Sequence, residues 1–280
     1  MANSDTSRGL PGKKIDRRAR KLFRKAIARF PKISTNRTDK SIDELKEALK
    51  ITRGKYPRAK AWLAYALATA YKERLKGFRS RNVLNRALKL ANEAVAERPN
   101  HRDPHWAQAF CRLAGDDPAG ALKAYAEAVK HRPTLSLKVE RAEAMIYNGD
   151  LKGGSKVIKD ILDELDHDEI PDWFLWNAAW VLYFERKYDD ALEHLDAVLS
   201  EPGDADHIED MLLLEAAILA QKGDGSANRT LRKFLRQKRK WFGEDWTLRF
   251  EKESLCFSAN AKAQKLQSHW LDGVKKAGLT

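Results

Sequence analysis

Residues 83–133 repeat themselves. When VLNRALKLANEAVAERP (Val83–Pro99) is set above DPAGALKAYAEAVKHRP (Asp117–Pro133), eight of seventeen positions are identical at an offset of 34 with no gap. Ala87, Leu88, Glu93, Ala94 and Pro99 meet Ala121, Leu122, Glu127, Ala128 and Pro133. A unit of this length is a helix–turn–helix hairpin, too small to bury its own apolar face, so it must stack on a neighbour. Alanines at the crossing points let helix axes approach to about 8–10 Å. The proline ends the second helix and turns the chain toward the next hairpin.

Helical spacing extends the repeat both ways. Lys60–Arg74 pairs with Val83–Glu97 across a long turn, KERLKGFRSRN, and Pro104–Leu113 pairs with Pro118–Lys130. Leu135–Tyr147 with Leu151–Leu165, Asp172–Arg186 with Tyr188–Leu199, and Asp206–Lys222 with Ser226–Lys240 complete five hairpins. Gly149-Asp150 follows Gly115-Asp116 by 34, which predicts the same turn register for both, and Ser155 stands where an alanine is expected. Before the hairpins, Ile15–Phe30 collects Ile15, Ala19, Leu22, Phe23, Ala26, Ile27 and Phe30 on one face and Arg/Lys on the other. Ser41-Ile-Asp-Glu44 has capping-box spacing and predicts a helix starting there and running to Ile51. After Gly243, helices are predicted at 245–256 and 258–277, the last closing the solenoid. The chain thus divides into a disordered basic tail (1–14), N-terminal capping helices (15–55), a solenoid (56–242) and C-terminal capping helices (243–280).

The series bulky, small, aromatic, small, proline at Trp106, Ala121, Tyr125, Ala128 and Pro133 resembles the tetratricopeptide repeat (TPR). Tyr188-Asp-Asp-Ala191-Leu192 is similar to the opening of a TPR second helix. The likeness runs from about Ile42 to Lys240 and implies an all-α, right-handed superhelix of stacked hairpins. AWLAYALATAY, RALKLANEAVAERPN and the ending Trp270–Leu279 are also similar to the TPR portion of bacterial class III adenylate cyclase-like proteins. There is no room for the cyclase domain, so this resemblance implies architecture and a regulatory or adaptor role without catalysis. TPR domains that grip chaperone C-termini use a Lys and Asn clamp. The matching positions hold Leu63 and Leu67, so that role is not implied.

The net charge of +13 is unevenly placed. Residues 1–40 hold thirteen Lys/Arg against three acids, 160–210 hold two against seventeen, and 211–280 hold fourteen against seven. An acidic block amid basic ends argues against one continuous polyanion-binding face. Cys111 and Cys256 form neither a disulfide framework nor a zinc spacing, and MANSDTSRGLPGKK lacks an apolar signal core. A cytoplasmic setting without a membrane span is expected.

Four aromatics at steps of 3, 4 and 3, namely Trp173, Trp176, Trp180 and Tyr183, share one face of the fourth hairpin's first helix. One expectation is a groove gripping a basic or amphipathic partner segment inside the acidic block. The other is that these rings pack against a neighbouring hairpin or the C-terminal helices. The basic helix near the N-terminus, with Arg17, Arg18, Lys21 and Arg24, is either a binding arm or a cap with a solvated face. The run RTLRKFLRQKRK offers Arg232, Lys233, Arg236 and Arg239 to nucleic acid, to solvent, or to the acidic 160–210 block of a second copy.

No catalytic residue, cofactor or metal is expected. Pro104 separates His101 from His105, and Asp166–Glu169 reads as a solvated turn. Gly153-Gly154-Ser155 lacks the strand and spacing of a phosphate loop. The function expected is a non-catalytic adaptor holding a protein or peptide in a TPR groove. Nucleic-acid binding through 13–32 and 229–240, and regulation of a signalling enzyme, are the alternatives.

Overall fold

The computed structural model describes residues 15–29, 35–165, 170–200, 208–243 and 245–280, without side chains for 35, 36, 241 and 242. The tail 1–14 and the acidic loop 166–169 lie outside these residues. Fourteen helices and no strand are found among them: α1 (Arg17–Ile27), α2 (Thr35–Ile51), α3 (Pro57–Lys72), α4 (Arg81–Glu97), α5 (Arg102–Leu113), α6 (Pro118–His131), α7 (Leu135–Tyr147), α8 (Leu151–Glu164), α9 (Asp172–Phe184), α10 (Tyr188–Leu199), α11 (Ile208–Gln221), α12 (Ala227–Phe242), α13 (Leu248–Ser254) and α14 (Ala261–Lys276). The five expected hairpins are α3–α4 to α11–α12.

The repeat register holds. Ala87, Ala94, Ala121 and Ala128 are all fully buried at helix crossings. Side-chain caps start the helices where the sequence supplies them. Asp117 accepts from the Gly120 N–H at 2.8 Å, and Asp150 from the Gly153 N–H at 2.9 Å. Such caps satisfy N–H groups that have no partner within the helix. Every hairpin closes with the same turn. A residue in the left-handed region (Arg74, Asp116, Gly149, Arg186, Gly223) precedes an N–H that reaches back five residues. Examples are Leu75 to Ala70 O at 3.0 Å and Lys187 to Leu182 O at 2.9 Å. This is the Schellman closure. It pairs Asp116, not Gly115, with Gly149, so the two Gly-Asp pairs are out of register by one residue.

Two hydrophobic clusters meet at α5. Ala107, Cys111 and Ala114 belong to the one built on α1–α4, while Ala109 and Leu113 belong to the one running on to the C-terminus. Solenoid packing of this kind needs only contacts between neighbours.

Two boundaries depart from expectation. α2 begins at Thr35, so Ser41 caps nothing; it is 1% exposed, and its hydroxyl donates to Ala26 O at 3.2 Å and Arg37 O at 3.0 Å. Glu44 pairs with Arg29 instead of closing a capping box. At the other end, only Leu248–Ser254 of the predicted 245–256 is helical. Residues 245–280 also do more than close the last hairpin. The Ser258 N–H donates to Tyr147 O at 2.9 Å, and Arg74 pairs with Glu253 at 2.7 Å. The segment therefore meets the first hairpin at Glu253, crosses the third at Ser258, and lays α14 against the first helices of the fourth and fifth.

Candidate functional site: the wall of first helices

The first helices α3, α5, α7, α9 and α11 carry the aromatic side chains on which a groove could be built. The C-terminal segment splits them into a covered part and an open part.

The covered part includes the aromatic stripe of α9. Trp173 and Trp176 stay partly exposed, but Trp180 is 4% and Tyr183 0% exposed. The Trp270 ring of α14 packs edge-on against Trp180 at 4.6 Å and Tyr183 at 5.5 Å. The Tyr183 hydroxyl donates to His269 O at 2.9 Å. The stripe is thus no open surface, because α14 lies on half of it. The sequence held a warning: between Asp172 and Glu185, α9 has no charged residue and only one amide, Asn177. A helix apolar all round is covered all round. Close approach is built in by Gly149 and Gly273. A Cβ on Gly149, itself at φ +86°, would lie 2.8 Å from Ala263 N, and one on Gly273 would collide with the Tyr183 hydroxyl.

Charge is buried here too. The Glu251 carboxylate accepts the indole N–H of Trp270 at 2.7 Å and of Trp246 at 2.9 Å. Lys238, 3% exposed, lies 3.5 Å from Asp210, 3.6 Å from Glu73 and 4.6 Å from the centre of the Trp246 ring. Burial disfavours its charge, but Asp210 and Glu73 outweigh that and hold its pKa above the ordinary lysine value. Lys238 ties the fifth hairpin to the first and is not part of a solvated basic face. A cavity of about 80 Å³ opens among these groups, lined in part by Trp176, Trp180, Lys238 and Glu251.

The open part lies on α3, α5 and α7. The Trp106 ring is 5.2 Å from Trp62 and 4.7 Å from Tyr65, and Phe110 is 4.4 Å from Tyr65. All four residues are partly exposed, with the Trp62 indole nitrogen itself buried. Glu140 of α7 sits beside them and accepts the Trp106 indole N–H at 2.7 Å and the Tyr125 hydroxyl at 2.9 Å. Burial raises the Glu140 pKa to about 7, against the pull of those two hydrogen bonds. Sequence spacing placed Trp62, Tyr65 and Trp106 on their helices. It gave no sign that they meet one another, or that Glu140 joins them.

The basic residues fall at the two ends of the solenoid. α1 buries Ala19, Phe23 and Ala26, with Phe23 5.3 Å from Tyr56, and exposes Arg17, Arg18, Lys21 and Arg24. Arg18 approaches Glu47 at 3.6 Å. On α12, Arg232, Lys233, Arg236 and Arg239 are exposed, and Arg239 pairs with Asp245 at 3.0 Å.

Cys111 and Cys256 are buried, and burial raises both thiol pKa values. The His105 ring contacts Pro99 O at 2.6 Å and stacks on His131. Among the described residues, no three His, Cys, Asp or Glu side chains gather as a metal-holding group. Nor is any helix there long and apolar enough to cross a membrane.

No family model and no curated protein matches the chain. Solved structures do. A thermophilic TPR protein of Thermus thermophilus superposes with a TM-score of 0.57 at 18% identity, over 72% of this chain and 98% of its own. The fold is a TPR fold. PilW, a type IV pilus biogenesis factor, aligns over 89% of this chain and 98% of its own at 12% identity, with a TM-score of 0.52. A TPR protein of Parabacteroides merdae aligns over 91% and 99% at 11% identity, with a TM-score of 0.50. These neighbours establish the TPR architecture and do not show the likeness to adenylate cyclase-like proteins.

Proposed function

We propose that this protein is a non-catalytic scaffold that holds a segment of a partner protein on the open wall of α3, α5 and α7. One observation carries the reading: Trp62, Tyr65, Trp106 and Phe110 form a continuous, partly exposed aromatic surface, while Trp180 and Tyr183 are already engaged by α14. Aromatic anchors contribute most of the energy at such surfaces. Trp173 and Trp176 lie at the edge of the covered part, and a partner using Trp180 or Tyr183 must first displace α14. The experiment is capture from the native cell by the parent and by Trp62→Ala/Trp106→Ala, with helicity followed by circular dichroism. A partner lost by the double variant at unchanged helicity fits the proposal. A partner held equally by both sinks it.

Nucleic-acid binding is the second reading, and the bare basic face of α1 favours it. Among the described residues, Arg17, Lys21 and Arg24 make no ion pair. Phosphate contacts would appear as a steep loss of affinity with salt, at a slope of about −0.9 per phosphate on duplex DNA. No mobility shift at low salt would exclude it.

A further inference from the structure

The open wall can be read more narrowly, on the premise that it is where the partner segment lies. We propose that it receives one arginine side chain of that segment, with the guanidinium against the Trp62, Tyr65 and Trp106 rings and paired to the Glu140 carboxylate.

Four of the chain's own cations show one arrangement, while a fifth, Arg79, lies 4.8 Å over Phe250 and donates to Arg74 O at 2.7 Å. Arg58 lies 5.2 Å over Phe23 and bonds Asp103 at 2.8 Å. Arg74 lies 5.9 Å over Tyr71 and pairs with Glu253 at 2.7 Å. Arg102 lies 6.0 Å over Trp106 and bonds Asp103 at 2.7 Å. Lys238 lies over Trp246 between Asp210 and Glu73. Each of these four has a ring on one side and a carboxylate on another, the arrangement that best offsets its lost hydration.

The open wall has the rings and the carboxylate, but its donors are neutral. Trp106 and Tyr125 both bond Oε2 of Glu140, and the Tyr65 hydroxyl also bears on this carboxylate. From α3, Lys72 favours the ionised form, yet it pairs with Glu143 at 3.9 Å. From α5, Arg102 is bonded to Asp103. On α7 itself, Glu143 adds like charge. Glu140 is therefore a partly buried carboxylate amid aromatic rings, without a close cation of its own among the described residues. A guanidinium fits better than an ammonium, because its plane can lie on a ring while its edge bonds a carboxylate.

Binding should then be coupled to the ionisation of Glu140. With its pKa at about 7, the ionised fraction rises roughly tenfold between pH 6 and pH 8. A cation that requires the carboxylate should bind about tenfold more tightly across that interval.

The test uses the full chain with N-acetyl-arginine amide as probe and N-acetyl-citrulline amide as its neutral isostere. Indole N–H signals are followed by ¹⁵N NMR. The expected result is a saturable shift of the Trp62 and Trp106 signals with the arginine probe, about tenfold tighter at pH 8 than at pH 6, and none with citrulline. Glu140→Gln keeps an acceptor for Trp106 and Tyr125. It should abolish both the discrimination and the pH dependence. Without any probe, the Trp106 indole signal of the parent should titrate near pH 7, and that of Glu140→Gln should not. Equal responses to the two probes, a flat pH profile, or an unchanged Glu140→Gln variant would overturn the inference. If Trp62→Ala/Trp106→Ala loses the partner while the probes go undistinguished, the scaffold reading stands and the arginine inference falls. If the arginine probe binds as expected but the double variant keeps its partner, the scaffold reading is the one that fails.

Discussion

Gly273→Ala gives a test whose sign depends on how α14 is seated. In a free helix the change is favourable, since alanine is better than glycine by about 1 kcal/mol in a helix interior. In the docked helix, the new methyl would strike the Tyr183 hydroxyl and come within 3.3 Å of Ala217 Cβ and of Gln221 Nε2. Tyr183 has little freedom to retreat. It is 0% exposed, and its ring lies 4.7 Å from His269 and 5.4 Å from Phe184. Overpacking of this kind costs about 1–3 kcal/mol. Displacing the hydroxyl from His269 O would add about 1–3 kcal/mol if it finds no other partner. After the propensity gain, the net expectation is a loss of about 1–5 kcal/mol where the hydroxyl is left without a partner, and about 0–2 kcal/mol where Gln221 takes it. Urea unfolding followed by circular dichroism measures it, and hydrogen exchange should show weakened protection centred on α14 and α11. Gly225→Ala is the control, because a Cβ there meets nothing within 4 Å. A Gly273→Ala variant more stable than the parent would refute the placement of α14 against α9.

Lys238→Met should cost about 1–3 kcal/mol, since Glu73 and Asp210, 22% and 33% exposed, lose the buried cation between them. Adding Glu73→Gln and Asp210→Asn should recover most of the loss in the same unfolding assay. Arg186 is held at φ +61°, a conformation that suits glycine, so Arg186→Gly should raise the urea midpoint by the equivalent of about 0.5–1 kcal/mol. Burial opposes the charge of Glu185, but bonds from Ser155, Lys187 and Lys159 outweigh it and hold the pKa at about 2. Its contribution to stability is therefore complete above the ordinary glutamate pKa and is lost as pH falls toward 2. Ser155→Ala should weaken that acid dependence, and identical parent and variant profiles between pH 2 and 5 would count against the bond.

The repeat was legible because it rests on local chemistry. Alanines 34 residues apart do the same work at the same crossings, so the five hairpins could be set out from spacing alone. The turns were legible only where glycine marked them. Arg74, Asp116 and Arg186 adopt the left-handed conformation because a Schellman closure ends each first helix, and nothing in their side chains announces it. Ser41 misled for a related reason: a capping-box spacing is weak beside the packing of α1 on α2, which buries the serine. The open aromatic wall was missed because its members come from three helices, and Glu140 has no local feature separating it from a solvated glutamate. The C-terminal segment was legible only as one of two alternatives for the α9 rings, and its reach to the first and third hairpins was not, because its contacts are distant in sequence; Trp270 meets Trp180 across most of two hairpins. Traces of it were nonetheless present. Lys238 follows Leu231 and Phe234 by seven and four residues, which puts it on the buried stripe of α12 and not on the basic face. A helix that only caps or solvates would not place a lysine there. In a repeat protein, a residue that breaks the pattern on the buried side points to a contact outside the repeat, and for Lys238 that contact is the strap of residues 245–251 together with the first hairpin.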